Sequence, residues 1–119
     1  MKSATIESLA KTWIENWTNG LSGYDPKTSW LDLADHKPEL CFNVILQALT
    51  MIPTEPKNPL FQTLSAGPLE ELLALHGNDF IERVESLSGA DSAFKLLLGN
   101  LWHNTMSEDV WRRVCKCRT

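Results

Sequence analysis

The groups with which this chain could do chemistry are few: three histidines, three cysteines and fifteen acidic side chains. Cys115 and Cys117, with His103, would offer three metal ligands. A structural zinc site wants four, usually with two to four residues between paired cysteines. The pair reads more simply as two reduced thiols near a helix end. Asp32, Asp35 and His36 place two carboxylates three apart with an imidazole beside them. That is a weak acid–base pattern and an ordinary helix C-terminus, where a histidine complements the dipole. Glu82 and Glu85 share a helix face and could act as paired carboxylates, but they lie opposite the apolar stripe, where solvation is expected. His76 completes a leucine stripe and reads as a corner histidine. The chain has no phosphate-cradling glycine loop, no Gly-x-Ser-x-Gly elbow and no His-Glu-x-x-His. No catalytic residue, metal or cofactor is therefore assigned.

Tryptophan is the more pointed signal. Five tryptophans stand against one tyrosine. Trp13 and Trp17 are one helical turn apart, and Trp102 and Trp111 flank the final corner. Tryptophan fills the cores of small helical domains and is also enriched at binding hot spots.

Composition bounds the answer. The 119 residues fit one domain, 1–119, with 43% hydrophobic and 22% charged residues. The net charge of −4 argues against nucleic-acid binding by the whole surface. Residues 68–99 carry Glu70, Glu71, Asp79, Glu82, Glu85 and Asp91 against Arg83 and Lys95. Residues 112–118 carry Arg112, Arg113, Lys116 and Arg118 and no acid. The odd cysteine count implies a reducing compartment. No signal peptide or membrane-length apolar run is visible. A cytoplasmic, soluble protein is expected.

The elements that must position these residues are helices. Ser3 is a candidate cap for a helix over about 4–18, with Ile6, Leu9, Ala10, Trp13, Ile14 and Trp17 on one face. Gly20 and Gly23 end it. Tyr24–Thr28 reads as a turn and Ser29 as the cap of a short helix through Ala34. Pro38 opens a helix to about Met51 that is apolar nearly all round, hence central; the run Cys41–Leu46 would also suit a buried strand, but the length and the Pro38 start favour helix. A proline-rich linker over about 52–59 lies inside the domain and leads to a short helix from Pro59 to about Ala66. Gly67 then predicts an N-cap, with Pro68 at the first helical position and Glu70 and Glu71 in the first turn. Gly77 predicts a left-handed stop and Asn78 a new cap, giving helices at 68–76 and 78–88. Asp91 caps a helix to about Trp102, and Ser107 caps the last one, with Met106 and Trp111 as a hydrophobic staple. The expected fold is all-α: six or seven short helices in antiparallel pairs, a compact bundle or a short HEAT-like solenoid.

The run Ala66-Gly-Pro-Leu-Glu-Glu-Leu-Leu, the following His76-Gly77, the Trp13/Trp17 opening and the Trp102/Trp111 close resemble a short bacterial family of unknown function. The resemblance implies an all-α fold and a bacterial origin. It implies no activity.

The leading functional expectation is a non-catalytic protein-binding module. Its docking surface would comprise Glu70, Glu71, Asp79, Glu82, Glu85 and Asp91, with Trp102 and Trp111. One concrete form is an immunity protein that neutralises a basic bacterial toxin, with acid against base speeding association. Another class of reading is a small enzyme or ligand-binding domain with its site near His76 and His103. A third is a homo-oligomeric structural protein. No membrane partner is expected, and nucleic acid is disfavoured.

Overall fold

Proline and short polar side chains decide where this chain enters helix. In a computed structural model, residues 2–18, 34–101, 103 and 106–118 are described, with backbone alone for 2–5 and 16–18. Among the described residues six α-helices have both ends defined, in order α1 Lys2–Thr18, α2 Pro38–Met51, α3 Pro59–Leu64, α4 Glu70–Ala90, α5 Ser92–Leu98 and α6 Glu108–Cys117, and residues 34–36 are helical as well. No strand occurs among the described residues. The predicted turn at 24–28, the cap at Ser29, and Gly20, Gly23, Trp30 and Trp102 lie outside them.

Two of the predicted caps, Asp91 and Ser107, are made, and Asn58 adds a third. The Asn58 carboxamide oxygen accepts the N–H groups of Leu60 and Phe61 at 2.9 and 3.3 Å, and Pro59 fills the first helical position. The Asp91 carboxylate accepts those of Ala93 and Phe94 at 2.9 and 3.3 Å. The Ser107 hydroxyl accepts that of Val110 at 3.2 Å. Each satisfies donors that a helix start leaves orphaned.

Four expectations fail, each for a local reason. Ser3 does not cap α1, because the helix already begins at Lys2. The predicted break at Gly67 does not occur either. Residues Ser65–Leu69 form a π turn that joins α3 to α4 without a gap. Pro68 has no N–H for the Leu64 carbonyl, and its ring would strike that carbonyl in a regular helix. The backbone widens instead, and the Glu70 N–H reaches Ser65 O, five residues back.

The corner predicted at Gly77 is present within α4, where two helical runs meet, but Gly77 is not left-handed and Asn78 caps nothing. The bend sits one residue earlier, at His76, with φ −133° and ψ 30°. Gly77 is there for space. A Cβ on it would lie 2.8 Å from Val110 Cγ2 on α6. Finally, α5 ends at Leu98 rather than Trp102. Gly99, Asn100 and Leu101 donate to the carbonyls three residues back at 3.0, 3.2 and 3.1 Å, a tightened exit.

The centre is α2, which packs against α1, α3, α4, α5 and the π turn. It buries Cys41, Phe42, Val44, Ile45, Ala48 and Leu49. Phe42 meets Phe80 of α4 and Phe94 of α5, with ring centroids 5.2 and 6.3 Å apart. Over this aromatic layer lies the Arg83 guanidinium, 4.8 Å from the Phe80 centroid, forked onto the Glu39 carboxylate. The radius of gyration is 13.2 Å and the extents are 34 × 29 × 27 Å. About 13.5 Å is usual for a compact 119-residue domain, so the helices close as a bundle and do not string out as a solenoid.

Candidate functional site

The six acids named from the sequence have different fates. Glu70 is buried, 8% exposed, because the helical run through the π turn carries it inward. Glu85 is half-buried and gives both carboxylate oxygens to Arg113 of α6, at 2.8 and 2.5 Å. That guanidinium holds the Glu85 carboxyl below the usual carboxylate range. Asp91 uses an oxygen on its cap. Three remain on the outward side of α4: Glu71, half-exposed, and Asp79 and Glu82, exposed. Between them is Leu75, 45% exposed, one turn after Glu71. Glu82 also borders an apolar groove of about 580 Å³ between α2 and α4, lined by Phe42, Leu46, Leu87 and Ala90.

His76 works as a corner residue. Its Nε2 lies 3.1 Å from the Asp35 carbonyl, which can only accept, so Nε2 carries the proton. Its Nδ1 faces Asp79 at 3.9 Å. The bend at His76 is thereby tied to the backbone before α2.

His103 is elsewhere, in a different cleft. That cleft, about 790 Å³, opens between the α3–π segment, the exit of α5 and helix α6. The His103 and Trp111 rings stack at 5.3 Å, 7° from parallel. His103 Nε2 donates to Met106 O at 3.0 Å. The Arg118 guanidinium lies 4.8 Å from the Trp111 centroid and donates to Leu101 O at 3.1 Å. Trp111 and Arg118 are seven apart, Arg118 being the extended residue that follows α6, a spacing legible in the sequence. The approach of His103 across the 99–107 connection has no sequence signal.

The remaining candidates are apart. Trp13 is buried and belongs to the core. Cys115 is exposed and Cys117 half-buried; two helical residues two apart point about 200° from one another. Among the described residues no group of three or more His, Cys, Asp or Glu is arranged to hold a metal ion. No helix among them is long and apolar enough to cross a membrane.

The fold and its surface thus define an all-α helical bundle with an acid-bordered outer helix face and a separate aromatic cleft. The chain belongs to a family described as a family of unknown function (DUF6869), whose match covers residues 22–119. No curated protein and no solved structure matches it.

Proposed function

We propose that this protein is a non-catalytic binding module that docks a basic protein on the outward side of α4. The observation that carries the reading is Leu75: a large apolar side chain left 45% exposed, with Glu71 before it and Asp79 and Glu82 after it. An exposed apolar anchor with charge around it is the composition of a small interface, where apolar burial supplies affinity and charge supplies steering. The partner side that fits presents lysine or arginine around an apolar recess. An immunity protein that neutralises a basic toxin is one form of such a module. Glu70, Glu85 and Asp91 are left out of the surface, since each is buried or engaged within the fold.

The test compares wild type with a Glu71→Lys, Asp79→Lys, Glu82→Lys triple variant and with Leu75→Asp. Immobilised protein is exposed to native-host lysate at low salt and at ~0.5 M salt, where screening shortens to a few ångströms. Expected is one basic protein held stoichiometrically by wild type, released by salt, and lost from both variants. Retention of that protein by the triple variant with unchanged salt dependence would overturn the proposal.

A further inference from the structure

We infer that the cleft under Trp111 is a binding site for a small flat anion: an aromatic ring bearing a carboxylate or phosphate group. Three observations carry this, none of which concerns the α4 face. The first is size. About 790 Å³ lies within the range of small-molecule sites.

The second is charge. The described lining is Gln62, Ala66, Gly99, Asn100, Leu101, His103, Trp111 and Arg118, so it holds a guanidinium and an imidazole and no carboxylate. This is a positive recess in a chain of net charge −4. Its arginine differs from the others. Arg83 is forked onto Glu39, Arg113 onto Glu85, and Arg112 lies 3.6 Å from Asp109. Among the described residues Arg118 meets no carboxylate. It is held instead by the Leu101 carbonyl and by the Trp111 ring. One N–H of five is spent on Leu101, which leaves donors for the paired oxygens of an oxyacid group.

The third is the wall. The half-buried Trp111 indole carries the His103 ring stacked on it and the Arg118 guanidinium over it, so two aromatic rings and the guanidinium together wall the recess. Fixing both partners beforehand lowers the ordering cost of binding. His103 adds a polar atom. Because Nε2–H is committed to Met106 O, Nδ1 has no partner among the described residues. It can accept from a ligand hydroxyl. Ala66 and Gly99, with little or no side chain, leave the recess open.

The experiment is a ligand titration followed by NMR of the Trp111 indole N–H and the His103 ring. The probes are benzoate, phenyl phosphate, neutral benzamide and inorganic phosphate. Expected is saturable binding of benzoate or phenyl phosphate that perturbs both rings. The tighter of these two names the anionic group. Benzamide and inorganic phosphate should each bind at least ~10-fold more weakly, which is about 1.4 kcal/mol. Arg118→Gln should weaken the tighter probe by a similar factor. Ala66→Phe, at an exposed position in the lining that leaves the Arg118 side chain itself unchanged, should abolish binding even if Arg118→Gln fails to fold. Absence of saturable binding by either anion, equal binding of benzamide, or full binding by Ala66→Phe would each overturn the assignment.

Discussion

Gly77 of α4 and Val110 of α6 approach so closely that a Cβ on the glycine would lie 2.8 and 3.0 Å from the two valine methyls. The two helices use this contact to close the C-terminal half of the bundle. Gly77→Ala should therefore destabilise by about 1–3 kcal/mol, the usual cost of overpacking a tight contact. Adding Val110→Ala should recover part of that loss, giving less than the sum of the single changes. Urea midpoints of the two single variants and the double variant measure it. Strict additivity would mean that the glycine serves a backbone conformation and not this contact.

Arg113 and Glu85 clip the same two helices electrostatically. The folded-state pKa of Glu85 is depressed, first by its hydrogen bonds to Arg113. A depressed carboxylate stabilises the fold above its unfolded pKa, and that stabilisation is lost as pH falls through the lower, folded value. Glu39, held down by Arg83, adds in the same direction. Stability should thus fall on acidification below about pH 4.3, the ordinary glutamate value. Glu85→Gln should reduce stability near pH 7 and flatten that acid limb. Denaturation midpoints of both proteins between pH 7 and pH 3 provide the check.

Cys41 and Cys115 should differ sharply as thiols. Burial in α2 pushes the Cys41 thiol up to about 12, so essentially no thiolate exists at neutral pH. Cys115 is exposed. A thiol reagent on native protein should modify Cys115 first, Cys117 more slowly, and Cys41 only after denaturant is added. Peptide mass mapping over time distinguishes the three. Fast labelling of Cys41 under native conditions would place α2 outside the core.

Ser65 secures the π turn. Its buried hydroxyl donates to Leu97 O of α5 at 2.9 Å. Leu97 O also takes backbone N–H groups from the α5 exit, so Ser65→Ala strands no acceptor. The cost should be about 1 kcal/mol, that of a single intramolecular hydrogen bond. Ser65→Val, with extra volume at a fully buried position, should cost more. Thermal unfolding of the two variants ranks them.

Much of the architecture was legible in local chemistry. Asn58-Pro59, Asp91 and Ser107 mark helix starts because a short polar side chain meets adjacent orphan N–H groups, a contact made within three residues. The apolar span of Pro38–Met51 marked the central helix, since only a helix packed on several sides carries so few polar residues. Of the stripes Leu69, Leu72, Leu73, His76 and Phe80, Ile81, Val84, Leu87, all are buried except His76 and Leu87, which are half-buried. These are properties of sequence neighbours, and they hold wherever the helices come to rest.

What the sequence could not decide was what each residue is for when its partner is distant. Gly67-Pro68 looks like a boundary, yet the chain runs helical through it; at His76-Gly77 the chain does bend, but at His76 and without a left-handed glycine. Tertiary packing outweighs a local preference for breaking, with a widened turn absorbing Pro68 and α6 filling the space at Gly77. The same holds for the charged surface. Six acids close in sequence suggested one docking face, but burial of Glu70 and the long-range clasp of Glu85 by Arg113 leave Glu71, Asp79 and Glu82 around Leu75. The cleft of His103, Trp111 and Arg118 likewise exists only in three dimensions. The sequence alone determined that the fold is helical and which faces are apolar, because those depend on spacing. Which charges remain free and which rings meet was decided by the tertiary structure, because those depend on what folds back from far along the chain.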